Sequence, residues 1–123
     1  MKLFLILGAI HAMLAVMLGA FGAHALEAKL NAKNMLNVYQ TGVQYHMYHA
    51  LALLVVGVLL GKFPASTLLT GAGWSFFIGI LLFSGSLYAL STTGMKFFGP
   101  ITPLGGVAFI VGWILLIVAV VKA

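Results

Sequence analysis

Four long apolar runs constrain the fold of this chain more than any other feature of its sequence. Each is about twenty residues long, the length that an α-helix needs to cross the hydrocarbon core of a bilayer. We place the spans at about 3–25, 43–60, 66–90 and 103–121. Because backbone polar groups must be paired internally in lipid, we expect an all-α, integral membrane four-helix bundle formed by residues 1–123 as a single domain.

The composition supports a membrane location and excludes several functions. The chain is 63% hydrophobic, and its only charged residues are six lysines and one glutamate, whereas a soluble domain carries about a quarter charged residues. The lysines are scattered, so we expect membrane lipids as partners and no nucleic acid. The chain has no cysteine, which excludes disulfides and thiolate metal sites.

The first apolar run has some features of a signal peptide, since it follows Lys2 and ends in Ala23-His24-Ala25. It is about 22 residues long, enough to span a bilayer, so we expect a retained first helix.

Four spans place both termini on one side. The positive-inside rule does not select that side, because three lysines lie at each end. These are Lys2, Lys62 and Lys122 at one end and Lys29, Lys33 and Lys96 at the other. The signal-like start favours cytoplasmic termini in a multi-pass protein.

Small residues recur at helical spacing in three of the runs. In membranes, such residues allow two helix backbones to approach closely. We predict helix packing at Gly8, Ala12, Ala15, Gly19, Gly22, Gly71, Ser75, Gly79, Gly105 and Gly112. The same stripes are compatible with packing between copies, as in a homo-oligomer.

The connection at residues 26–34 is polar, and we expect it to be partly helical. Asn31 or Asn34 is a suitable cap for the helix that continues into the second span, and Thr102 is a suitable cap for the fourth helix. A second connection, at residues 91–102, joins the third span to the fourth. The parity of four spans places it at the same end of the bundle as the connection at residues 26–34. We therefore predict a polar cluster there, formed by His24, Glu27, Tyr39, Gln40, Gln44, Tyr45, His46, Tyr48, His49 and Thr102.

Three functions are compatible with this cluster. The first is a non-enzymatic accessory protein, in which the polar groups stabilise the bundle or bind a lipid headgroup or an unknown protein partner. The second is a conduit for a small solute or ion, formed between copies. The third is a metalloprotein using His24, Glu27, His46 and His49. Because di-iron bundles use several carboxylates and this chain has one acidic residue, we expect no metal, no cofactor and no catalytic residue. We expect His11 to lie in mid-span, apart from the cluster.

Three segments, Phe21–Leu26, Tyr39–Leu51 and Gly99–Gly106, resemble a family of small membrane proteins of unknown function. That family includes bacterial YwdK and YgdD and eukaryotic transmembrane relatives, and the resemblance covers nearly the whole chain. It implies four transmembrane helices in a bacterial cytoplasmic membrane, with no established activity, substrate or cofactor. The family often has Gln at position 46, which makes His24 and His49 stronger candidates than His46. The matching motif positions are Gly22, His24, Tyr48, His49, Thr102, Pro103 and Gly106.

Overall fold

A computed structural model describes all residues from 1 to 123, and it contains only helices and turns. Its α-helices are α1 (Lys2–His24), α2 (Glu27–Ala32), α3 (Leu36–Lys62), α4 (Thr67–Gly79), α5 (Gly85–Thr93) and α6 (Ile101–Lys122). A π-helical turn, Ile80–Ser84, joins α4 to α5, and a 3-10 turn, Lys96–Phe98, precedes α6.

Four helical stretches are long and apolar enough to cross a membrane, namely Lys2–His24, Leu36–Lys62, Thr67–Thr93 and Lys96–Lys122. This confirms the predicted all-α bundle of four membrane helices. Both termini lie at the same end of the bundle: Met1 approaches Gly61 at the end of α3, and Lys122 lies beside Phe63. The polar connection between α1 and α3 is partly helical, as expected, because it contains α2.

Two predicted helix caps are wrong. Met35 is the N-cap of α3, because Asn34 adopts a left-handed conformation with φ of 56° that turns the chain instead. Pro100 is the N-cap of α6. Thr102 lies inside the first turn of α6, and its hydroxyl contacts the Ser86 hydroxyl at 2.6 Å rather than capping the helix.

The apolar core fills the half of the bundle nearer the chain termini. Its centre lies between α3 and α4, where Leu53, Val56 and Phe76 are completely buried. Phe4 of α1 and Phe109 of α6 belong to the same cluster. This half is therefore closed by hydrocarbon side chains, whereas the polar side chains lie in the middle and in the opposite half.

The predicted packing residues lie at helix contacts within one chain. A side chain at Gly8 would meet the carbonyl oxygen of Ala50 at 2.9 Å, which shows how closely α1 approaches α3. At Gly105, a Cβ atom would clash with the backbone of Leu82 and Phe83, so α6 approaches the π turn just as closely. The buried members of the set are Gly8, Ala15, Gly22, Gly79, Gly105 and Gly112, and the half-buried members are Ala12, Gly19, Gly71 and Ser75.

Candidate functional site

His46 is the centre of a hydrogen-bonded chain that joins three membrane helices. Its Nε2 lies 2.9 Å from Nδ1 of His11 on α1, and its Nδ1 lies 2.9 Å from the hydroxyl of Tyr88 on α5. His46 is only 4% exposed. The close contact between α1 and α3 at Gly8 and Ala15 brings the two imidazoles together. We call His11, His46 and Tyr88 the histidine chain.

The histidine chain does not extend into a longer polar path. Its Tyr88 ring lies near Tyr39, with 5.4 Å between ring centroids, but the Tyr39 hydroxyl donates to the carbonyl oxygen of Leu18 at 2.5 Å instead. At the other end, the His11 ring packs edge-on against Phe77. The three groups are chemically able to exchange a proton, but no further polar side chain connects them to Glu27 or His24.

His49 forms a separate contact between α3 and α6. Its Nδ1–H donates to the carbonyl oxygen of Tyr45 at 2.8 Å, and the indole N–H of Trp113 donates to its Nε2 at 3.1 Å. The ring stacks on Phe109, with centroids 3.5 Å apart and planes inclined by 8°. A carbonyl only accepts and an indole N–H only donates, so these two bonds together require the neutral Nδ1–H tautomer of His49.

The structure contradicts the expectation that His46 and His49 share one site at the bundle end. His46 faces α1 and α5, whereas His49 faces α6. The contact with His11 places His46 level with the middle of α1. His24, at the end of the same helix, is separated from His11 by about 20 Å of helix, at 1.5 Å per residue. His11 is in mid-span as expected, but it is not isolated from the predicted cluster residues.

The physical reason for this error is the register between α1 and α3. We placed the second span at Val43, which put His46 and His49 at its mouth. The helix was expected to begin earlier, near Asn34, but the candidate span in the structure is the whole of Leu36–Lys62, so His46 lies about 15 Å along it, at 1.5 Å per residue. The packing of Gly22 against the Tyr39 ring sets this register near the polar end.

The remaining predicted cluster residues do not form one group. Tyr39 is buried, Tyr48 is 54% exposed and Tyr45 is partly exposed with its ring against Phe83. Thr102 is half-buried and bonds with Ser86, away from the histidines. The side chains that are exposed at the polar end are His24, Glu27, Gln40 and Gln44.

The proposed metal ligands are not brought together. His46 and His49 are held in separate contacts, and His24 and Glu27 are exposed at the bundle end. No three histidine or acidic side chains in the chain are arranged so that they could hold one metal ion. The arrangement therefore does not provide the three or four ligands of a protein zinc site.

The open polar spaces lie at the bundle end rather than around the buried histidines. One cleft of about 310 Å³ lies between α1 and α3 and is bordered by Tyr39, Gln40 and Gln44, opposite Gly19 and Gly22. A second, of about 210 Å³, is lined by Leu26, Lys29, Leu30, Lys33 and Thr92. None of the cavities in the protein is lined by His11, His46 or His49.

Sequence reasoning did not identify Tyr88 and Trp113 as partners of the histidines. Both lie in apolar runs, where an aromatic residue is ordinarily read as packing, and neither belongs to a motif. The π turn was also not predicted, and it contains Ser84, whose buried hydroxyl has no hydrogen-bond partner. The one available signal was His11, because an ionisable residue in mid-span requires a partner.

Comparison with known proteins assigns the chain to a family. Residues 18–106 match the family described as "Protein of unknown function (DUF423)". The chain belongs to this family. The DUF423 match begins inside α1 and ends inside α6, so it contains all three segments on which the sequence resemblance rested.

Curated relatives of this DUF423 protein match over almost their whole length. The chain is 62% identical to UPF0382 membrane protein YwdK of Bacillus subtilis, over 99% of this chain and 98% of that protein. It is 53% identical to UPF0382 membrane protein SAB0533 of Staphylococcus aureus, again over 99% of this chain and 98% of that protein. These names describe membrane proteins and indicate no specific activity. No solved structure matches the chain.

Proposed function

We propose that this DUF423 protein is a non-enzymatic accessory protein of the bacterial cytoplasmic membrane. In this proposal the buried histidines stabilise the bundle, and the polar end binds a lipid headgroup or a protein partner. The supporting observation is the separation of these two regions. The histidine chain and His49 form their hydrogen bonds between helices inside the bundle, whereas the polar clefts lie at its end.

The magnitude of membrane hydrogen bonds is consistent with a stabilising role. Interhelical side-chain bonds in membrane proteins contribute about 0.6 kcal/mol on average and up to about 1.7 kcal/mol. The histidine chain and the Trp113–His49 bond connect α1, α5 and α6 to α3. Together these contacts hold every membrane span to α3.

Neither alternative function gains a supporting observation. A conduit inside one chain is opposed by the apolar core around Leu53, Val56 and Phe76. A conduit between copies loses the support of the small-residue stripe on α1, because Gly8 and Gly22 are already covered by α3. The metalloprotein hypothesis requires His24, Glu27, His46 and His49 at one place, which the fold does not provide.

The proposal places both termini in the cytoplasm and the end that carries α2 outside it. Because the chain has no cysteine, one introduced thiol reports its own side without background labelling. We expect Ala28→Cys to react with a membrane-impermeant maleimide in intact cells and Ala123→Cys to react only after lysis. The reverse labelling pattern would contradict this orientation.

The non-enzymatic function is tested by the content of the purified protein. The protein is extracted in mild detergent without a chelator or a histidine tag, and its metal, visible absorption and bound lipid are measured. We expect no stoichiometric metal and no visible band, with retained lipid or a co-purifying partner. Near-stoichiometric metal that disappears in His24→Ala and His49→Ala would overturn the proposal in favour of a metalloprotein.

A further inference from the structure

Two side chains, Leu30 and Lys33, help to hold the α2 segment at the polar end of the bundle. Leu30 is only 2% exposed, so its side chain is packed into the polar end of the bundle and anchors the helix there. Lys33 Nζ donates to the carbonyl oxygen of Thr92 at 2.8 Å, which joins α2 to the last turn of α5. The printed link between the α2 segment and α5 is therefore polar, while the burial of Leu30 fixes α2 on the bundle.

The cavity between α2 and α5 has a cationic rim and an apolar wall. Its volume is about 210 Å³, and Lys29 and Lys33 contribute its charged groups. The two lysines are four residues apart and therefore lie on the same side of the helix. Leu26 and Leu30 supply the apolar wall. We call this cavity the lysine cavity.

No carboxylate of the protein lines the lysine cavity. The single acidic residue, Glu27, is two residues from Lys29, and residues at that spacing do not face each other on a helix. Two like charges at i and i+4 repel each other. Lys33 uses one of its three N–H groups on Thr92, and Lys29 is exposed. The lysine cavity therefore presents unused cationic donors with no acidic side chain to neutralise them.

The location of the lysine cavity at the membrane surface indicates which class of anion it binds. The connection between two membrane spans lies at the membrane surface, where the phosphate groups of lipids are the prevalent anions. Anionic leaflets attract lysines at this depth, and charge-assisted bonds to phosphate oxygens are stronger than bonds between neutral groups. The leucines beside the lysines match the glycerol and upper acyl region of a lipid, which inorganic phosphate lacks.

We propose that the lysine cavity binds the phosphodiester of an anionic phospholipid, with Lys29 and Lys33 as the donors. This inference rests on the proposed function, because it names the ligand class and the location for the lipid-binding polar end. The occupant is a lipid rather than free phosphate, since the leucines contribute to the site.

The test measures lipid binding to the full-length protein in mild detergent by native mass spectrometry. The probes are phosphatidylglycerol, phosphatidylcholine and inorganic phosphate. Lys29→Gln is the informative variant, because Lys29 makes no contact that holds α2. Lys96→Gln is the matched control, because it removes the same charge at the same end of the bundle without lining the cavity. We expect phosphatidylglycerol to bind more tightly than phosphatidylcholine. Lys29→Gln should weaken its binding about ten-fold, the effect of losing one hydrogen bond to a charged group, and Lys96→Gln should leave it unchanged.

Several outcomes would overturn the proposal. Equal weakening by Lys29→Gln and Lys96→Gln would show diffuse attraction without a site. Displacement of the lipid by inorganic phosphate at equal concentration would show a free-phosphate site. If the wild-type protein retains phosphatidylglycerol but Lys29→Gln has no effect, the lysine cavity is wrong while lipid binding at the polar end stands. If phosphatidylglycerol and phosphatidylcholine bind equally, recognition of the anionic headgroup itself fails.

Discussion

Trp113 donates its indole N–H to Nε2 of His49 across 3.1 Å, and this bond joins α6 to α3. The bond lies beside the stacked rings of His49 and Phe109. It gives His49, one of the motif positions that the sequence resemblance implied, a defined structural partner. The same histidine has no access to a cavity, so its geometry supports a role in holding helices rather than in binding a ligand.

The Trp113–His49 bond predicts the effect of removing its donor. Trp113→Phe retains an aromatic ring against Phe76 but loses the N–H, so we expect a loss of about 0.6–1.7 kcal/mol of unfolding free energy. The measurement is an SDS titration in mixed micelles. Trp74→Phe is the control, since Trp74 contacts Phe4 and Phe77 through its rings only. Equal losses in the two variants would contradict a specific role for the Trp113 donor.

The tautomer of His49 is a second prediction. Donation to Tyr45 and acceptance from Trp113 require a proton on Nδ1 and none on Nε2. Nitrogen-15 NMR of histidine-labelled protein in detergent should show this pattern, and the Nε2 signal should shift in Trp113→Phe. A protonated Nε2 in the wild-type protein would be incompatible with the geometry.

The histidine chain predicts energetic coupling between His46 and Tyr88. In a double-mutant cycle with His46→Leu and Tyr88→Phe, we expect a coupling energy of about 0.6–1.7 kcal/mol, the range of measured membrane hydrogen bonds. His46→Gln should lose less stability than His46→Leu, because an amide retains both a donor and an acceptor. Additive effects of the two substitutions would show that the chain does not contribute to stability.

The contact of α6 with the π turn predicts a strong difference between two adjacent glycines. A Cβ atom at Gly105 clashes with the backbone of Leu82 and Phe83, whereas at Gly106 it meets no atom nearer than 3.9 Å. We expect Gly105→Ala to cost about 1–3 kcal/mol, as other overpacked substitutions do, and Gly106→Ala to be nearly neutral. Similar stabilities of the two variants, measured by the same SDS titration, would contradict this packing.

The four helices could be predicted from sequence because length and hydrophobicity alone determine which segments span a bilayer. The small-residue stripes likewise indicated surfaces of close helix contact. The depth of His46 and His49 could not be predicted in the same way. It depends on how far α3 is shifted along α1, and that register is set by individual contacts such as Gly22 with Tyr39 and Gly8 with Leu54.

The hydrogen-bond partners of the histidines could not be predicted from the sequence either. Tyr88 and Trp113 are distant from them in the chain, and an apolar run gives no indication of which aromatic side chain turns inward. Only His11 carried a signal, since its cost in mid-membrane demanded a partner. Identification of that partner as His46 required the packed structure.

The central claim is that the buried histidines stabilise the bundle, and thermal unfolding of three alanine variants in one detergent tests it most directly. His46→Ala and His49→Ala should lower the melting temperature by several degrees, because each removes a buried side chain and its hydrogen bonds between membrane helices. His24→Ala, at an exposed position, should leave it unchanged. If His46→Ala and His49→Ala unfold at the wild-type temperature with the wild-type oligomeric state, the histidines have another role and the claim is wrong.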